Sequence, residues 1–191
     1  MLIKDWKKEI WTIPNLLSLF RLLLIPVYVT IYLNAKETSN YYLAAMILAV
    51  SCLTDLIDGK IARHYNMIST VGKILDPLAD KLTQFALILC LSMKYAILWY
   101  LVGLFVVKES FQLIAGGINL KRGRVLKGAL MSGKICTTVL FISLILMVML
   151  PELTESQVKV IFFVDMAFML LAFGDYFFTY IRGEHKFQEL D

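Results

Sequence analysis

The sequence predicts an all-α fold: a polytopic membrane protein of six transmembrane helices, preceded by a short amphipathic helix on the membrane surface. Three observations predict it. Of 191 residues, 59% are hydrophobic and only 18% are charged, which departs in both directions from a soluble domain. The apolar residues gather in runs such as 16–33, 85–107 and 139–150 that carry very few charges. A helix needs about 20 mostly apolar residues to cross a bilayer. Six such spans use about 120 residues and leave no room for a second, soluble domain, so 1–191 reads as a single membrane domain. Composition also excludes a disordered chain, a coiled coil and a secreted disulfide scaffold. Cys52, Cys90 and Cys136 all fall in apolar segments without metal-ligand spacing, and read as reduced core residues.

Residues 1–13 come first. Leu2, Ile3, Trp6, Ile10 and Trp11 alternate with Lys4, Lys7 and Lys8, a spacing that suits a helix lying in the membrane interface. The segment lacks the apolar stretch and small-residue cleavage point of a signal peptide. The spans follow at about 14–34, 41–63, 71–92, 96–118, 128–150 and 157–181. Pro14 opens the first span, where its missing N–H leaves no hydrogen bond unmade, and Pro26 marks a point for a kink. Pro77 lies in the second turn of the third span, and Pro151 ends the fifth.

Positive charge orients the spans. Of nineteen Lys and Arg, twelve fall at the termini and in the turns near 64–70 and 119–127, while only Lys36, Lys94 and Lys159 fall on the opposite side. Cytoplasmic loops carry the excess of Lys and Arg, so both termini and those turns are expected in the cytoplasm.

Ionisable residues inside the membrane are costly and mark candidate sites. Asp55 and Asp58 are three apart on the second span, and Asp76 and Asp80 are four apart on the third. Each pair lies on one helix face. A short turn joins these spans, so they run antiparallel, and Asp55 and Asp80 each sit about 12 Å into the membrane. Four carboxylates cannot stay ionised together without compensation, and one or two divalent cations supply it most simply. All-oxygen ligands favour Mg²⁺, Mn²⁺ or Ca²⁺. The structural alternative is a set of buried ion pairs with Lys81 and Lys134.

The neighbouring residues suggest phosphate. Gly59 and Gly72 permit close approach of a ligand or of another backbone. Arg63 stands at the cytoplasmic end of its span. Arg21 lies about 11 Å into the first span and Lys134 about 9 Å into the fifth, with Lys81 and Lys108 at similar or slightly greater depth. Cations, carboxylates and a metal at one level suit phosphoryl transfer. Lone lysines near span ends more often snorkel, so the set carries more weight than any member.

Together these residues spell Asp55-x2-Asp58-Gly59-x2-Ala62-Arg63-x8-Gly72-x3-Asp76-x3-Asp80. The pattern resembles the signature of the CDP-alcohol phosphatidyltransferase family, with every fixed position present. Further stretches resemble its bacterial glycerol-phosphate branch: Pro14-Asn15 with Ser18 and Arg21, Lys108-Glu109, and Ser132-Gly133-Lys134 with Thr137. Ser18, Lys108 and Cys136 depart from that branch, in which Thr, Arg and Lys are expected.

The resemblance implies a reaction and roles. The donor is CDP-diacylglycerol, the acceptor is sn-glycerol 3-phosphate, and CMP leaves. Asp55, Asp58 and Asp76 look like ligands of a divalent metal pair, Mg²⁺ or Mn²⁺. Asp80 looks like the general base and also touches the second metal. Asn15, Asp58, Gly59, Ala62, Arg63 and Gly72 match positions that hold the cytidine diphosphate. Lys134, Arg122, Arg124, Lys108 and Lys81 are the candidates for the acceptor's phosphate, although the loop carrying Arg122 and Arg124 is equally read as positive-inside anchoring. Related enzymes imply a homodimer in the bacterial cell membrane among its lipids, with no nucleic-acid partner. Another acceptor (serine, inositol phosphate or phosphatidylglycerol) stays open. So does a divalent-cation carrier built on the same carboxylates, and a non-catalytic lipid or assembly factor. Asp165 and Asp175 have no assigned role.

Overall fold

The computed structural model describes residues 12–64, 72–126, 128–182 and 187–189. The expected interfacial helix falls at 1–13, nearly all of it outside the described residues. Within them, six helices follow one another: α1 Ile13–Leu33, α2 Thr38–His64, α3 Gly72–Lys94, α4 Leu98–Lys121, α5 Met131–Met149 and α6 Glu155–Arg182. Every helix end lies within three residues of the span expected from the sequence. One feature departs from an all-α chain. Strands β1 Arg124–Leu126 and β2 Phe187–Glu189 form an antiparallel pair, with Arg124 opposite Glu189 and Leu126 opposite Phe187. The basic turn after α4 is therefore partly ordered by a strand from the end of the chain.

Among the described residues, four helical segments are long and apolar enough to cross a membrane: Asn15–Leu33, Leu98–Lys121, Met131–Met149 and Glu155–Arg182. In α2 the apolar stretch Thr38–Thr54 precedes Asp55, Asp58, Lys60 and Arg63. In α3 the charges Lys73, Asp76, Asp80 and Lys81 crowd the first three turns. In both helices the signature carboxylates stand toward one end of an otherwise apolar segment.

Polarity is distributed inside-out relative to a soluble protein. Leu16, Leu19, Phe20 and Leu23 of α1 and Phe163 and Leu171 of α6 are exposed, while Asn15, Ser18, Arg21, Lys108 and Asp165 are buried. Water would reward the reverse arrangement, whereas hydrocarbon favours polar groups turned into the bundle. Helices suit such segments because each backbone donor and acceptor is satisfied within the segment itself.

The chain divides into two compact units, Met1–Cys90 with Val148–Pro151, and Leu91–Met147 with Glu152–Asp191. In the first, α1 packs along α2. Pro14 sits in the opening turn of α1, and the helix continues through Pro26, where the Thr30 hydroxyl donates to the Pro26 carbonyl at 2.7 Å. Asn34 closes it, its backbone and side-chain N–H groups both reaching the Thr30 carbonyl. Tyr32 of α1 meets Tyr41 of α2 edge-on at 5.3 Å. In the second unit, α4 packs on α6. Phe111 of α4 is the contact's aromatic centre, 5.5 Å from both Phe173 and Phe177. Gly123 ends α4 with φ of +72°, the left-handed conformation that favours glycine just past a helix. At the start of α6, Thr154 and Gln157 form a capping box: the Thr154 N–H donates to Gln157 Oε1 at 2.9 Å, and the Gln157 N–H donates back to Thr154 Oγ1 at 3.4 Å.

Candidate active site

The first unit holds the centre of the site. Asn15, Ser18 and Arg21 recur every three residues along α1 and form a buried polar stripe. This stripe meets the two aspartates of α3. The Ser18 hydroxyl donates to the Asp76 carboxylate, and Arg21 Nη1 donates to Asp80 Oδ1 at 2.6 Å. The pairs ascend together, Ser18 with Asp76 and Arg21 with Asp80. Helices α1 and α3 therefore run in the same direction, as they must if α2 turns back between them. Three residues along α1 rise about 4.5 Å and four along α3 about 6 Å, so two rungs of one ladder can form at matching heights.

Burial within the second rung is unequal. The Arg21 side chain is 2% exposed and that of Asp80 is 47% exposed. Arg21 is thus an interior cation, and Asp80 is the half-exposed partner of the pair. An ionised carboxylate offers about four lone-pair positions, so the contact from Ser18 or Arg21 does not by itself saturate it. These hard oxygen donors, one helical turn apart, fit Mg²⁺ or Mn²⁺ rather than a thiolate-seeking ion. Among the described residues, no three His, Cys, Asp or Glu side chains converge. The further carboxylates expected at the site, Asp55 and Asp58, lie in α2 with their side chains outside the described residues. The same holds for the side chains of Ala62 and Arg63, and for Gly59. Gly72 is buried at the first position of α3. Lys81 is half-buried on α3, next to Asp80 in sequence.

The other candidate cations belong to the second unit. Lys108 is buried, with Nζ 2.6 Å from Glu109 Oε1 and 3.1 Å from Gln112 Oε1. Its charge is already compensated by a neighbour in the same helix turn. Lys134 is exposed in the first turn of α5. Arg122 is exposed at the end of α4, and Arg124 opens β1.

Several contacts had no counterpart in the sequence reading. Ser18 was noted only as a departure from a motif, yet its spacing from Arg21 mirrors that of Asp76 from Asp80 closely enough to have suggested two rungs. Asp165 of α6 accepts from the Ser143 hydroxyl of α5 on both carboxylate oxygens, each at 2.7 Å. Asp175 of α6 accepts from Ser132 Oγ at 2.5 Å. No spacing rule could pair residues on helices whose mutual rotation was unknown.

A family model described as CDP-alcohol phosphatidyltransferase matches residues 11–174. The chain is 31% identical over 119 residues to a cardiolipin synthase (CMP-forming) of Streptomyces coelicolor, a match covering 60% of this chain and 54% of that protein. It is 40% identical over 83 residues to a CDP-diacylglycerol–glycerol-3-phosphate 3-phosphatidyltransferase of Rickettsia bellii, covering 43% and 45%. It is 31% identical over 105 residues to a probable phosphatidylglycerophosphate synthase of Mycobacterium tuberculosis, covering 54% and 50%. The chain spans about half the length of these relatives.

Proposed function

Because the chain belongs to the CDP-alcohol phosphatidyltransferase family, we propose that it transfers the phosphatidyl group of CDP-diacylglycerol to sn-glycerol 3-phosphate, yielding phosphatidylglycerophosphate and CMP. The observation that carries the proposal is the complete signature, with Asp76 and Asp80 gripped by buried partners while Asp80 stays half-exposed. In this reading the whole chain acts as one membrane domain of six spans. It sits in a bacterial cell membrane as a homodimer, with both termini and the site facing the cytoplasm.

A divalent metal pair held by Asp55, Asp58 and Asp76, with Asp80 beside the second ion, would neutralise charge on the pyrophosphate and the departing CMP. Asn15, Asp58, Gly59, Ala62, Arg63 and Gly72 hold the cytidine diphosphate. Lys134, with Arg122 or Arg124, binds the acceptor's phosphate, and Lys81 and Lys108 are the remaining candidates. Asp80 takes the proton of the attacking hydroxyl as the new oxygen–phosphorus bond forms and the bond to CMP breaks. Arg21, through its contact with Asp80, fixes the direction from which that carboxylate approaches. Ser18 does the same for Asp76.

A second reading is favoured by the likeness to the Streptomyces coelicolor cardiolipin synthase. There the acceptor would be phosphatidylglycerol, and the same residues would serve donor and base. An acceptor panel separates the two. Purified protein is given CDP-diacylglycerol, Mg²⁺ or Mn²⁺, and in turn glycerol 3-phosphate, phosphatidylglycerol, serine or inositol phosphate, and the lipid product is identified by mass. Phosphatidylglycerophosphate is the expected product. Cardiolipin, with no turnover of glycerol 3-phosphate, would overturn the first reading in favour of the second.

A further inference from the structure

We propose that Asp175 and Tyr176 of α6 are positioning residues that fix the first turn of α5, and with it the backbone of Lys134. The proposal rests on the reading that Lys134 binds the acceptor's phosphate. Three contacts from two adjacent residues of α6 converge on that turn. Asp175 accepts from Ser132 Oγ at 2.5 Å. The Tyr176 hydroxyl accepts from the backbone N–H of Leu130 at 3.2 Å. The Tyr176 ring also fills the space beside Gly133, where an added methyl would lie 2.7 Å from both its Cε2 and its hydroxyl oxygen.

Each contact answers a physical need of a helix start. The first four N–H groups of a helix have no partner within it. Tyr176 supplies an acceptor just ahead of α5, at Leu130. The Leu130 carbonyl in turn accepts from the Lys134 N–H at 3.1 Å, so the residue that Tyr176 holds is the one that closes the turn bearing Lys134. Gly133 has to be glycine for this approach, since a Cβ would push Tyr176 off its bond. Beyond the turn, the Thr138 hydroxyl donates to the Lys134 carbonyl at 2.9 Å.

Tyr176 is itself held firmly. It is buried and stacks on Tyr180 with ring centres 6.3 Å apart. Lys134 has a long, exposed side chain, so the placement of its backbone decides where the ammonium can reach. An anchor of this kind acts on acceptor binding and leaves donor binding alone. A plain helix–helix staple would instead weaken everything together.

The test is steady-state kinetics on purified Asp175→Ala, Tyr176→Phe and Lys134→Ala, with donor and glycerol 3-phosphate varied separately. Hydrogen exchange at residues 130–134 and thermal stability are measured alongside. A lost neutral hydrogen bond of about 0.5–1.5 kcal/mol corresponds to an acceptor KM raised about 2- to 13-fold. That rise is expected for Asp175→Ala and Tyr176→Phe, with donor KM unchanged and faster exchange at 130–134. Asp175→Asn keeps an acceptor oxygen for Ser132 and should restore most of the loss. If Lys134→Ala raises the acceptor KM while the two α6 variants leave it unchanged, positioning is overturned and the acceptor reading stands. If Lys134→Ala also leaves it unchanged, both are overturned. A parallel fall in stability, kcat and donor affinity in both α6 variants reduces the contact to a staple and overturns the proposal.

Discussion

At Asp80 two demands meet in one carboxylate. In the proposed reaction it takes a proton from an incoming hydroxyl, and in the structure it compensates the buried Arg21 guanidinium 2.6 Å away. Asp80→Asn separates these demands because it keeps size and loses charge. Turnover should fall by about 10²–10⁴, the range for a lost general base, with donor binding little changed. The variant should also melt earlier, since Arg21 is left uncompensated. Removing one partner of a buried pair costs about 3–5 kcal/mol, and the exposure of Asp80 places the loss below that range because water screens the pair. A rate assay and a melting curve on one preparation check both halves. Unaltered turnover would leave the proton to another group. Asp165 offers a contrast, because its buried carboxylate meets only a hydroxyl, that of Ser143, among the contacts described. Asp165→Asn keeps a partner for Ser143 and should change stability little. Asp165→Ala should destabilise by about 1–3 kcal/mol through the orphaned hydroxyl and the space left behind. Equal losses in thermal melts of the two variants would show that charge, not hydrogen bonding, holds Asp165 in place.

Element by element, the helix ends obey local rules that can be tested without reference to catalysis. Thr154→Ala removes one half of the capping box at α6 and should lower stability by about 1 kcal/mol, read as an earlier melt with unchanged KM values. No change in melting would mean that burial of Val158 and Phe162 holds the start of α6 without the cap. The helices themselves were legible because an apolar run broken by Pro, Gly or charge is visible in the chain, and each end fell within three residues. Helices α2 and α3 were legible for another reason: their carboxylates interrupt otherwise apolar helices at helical spacing. The β1–β2 pair was not legible. Each strand has only three residues, and 65 positions separate Arg124 from its partner Glu189 in an antiparallel register. So few residues carry no alternation that stands out from a loop. The rungs Ser18–Asp76 and Arg21–Asp80 were half-legible: spacing marked both faces as polar, but only packing says that one turns toward the other.

Taken as a whole molecule, the chain buries charges such as Arg21 and Lys108 and exposes leucine and phenylalanine where water would reject them. That pattern identifies the solvent, and the family signature identifies the chemistry proposed for it. What the sequence could not supply is the acceptor, because a phosphate-binding lysine such as Lys134 serves a soluble phosphate and a lipid headgroup alike. The metal is the other open term, since its proposed ligands include Asp55 and Asp58. A divalent-cation carrier would need the same aspartates, but it would move ions without consuming CDP-lipid. The decisive measurement is CMP release by purified protein supplied with CDP-diacylglycerol, glycerol 3-phosphate and Mg²⁺ or Mn²⁺, repeated without the acceptor and with excess chelator. The prediction is CMP formed one for one with phosphatidylglycerophosphate, abolished by omitting the acceptor or by chelation, and restored by added Mg²⁺ or Mn²⁺. No CMP from folded protein with any acceptor, together with Mn²⁺ uptake into liposomes containing it, would contradict phosphatidyl transfer.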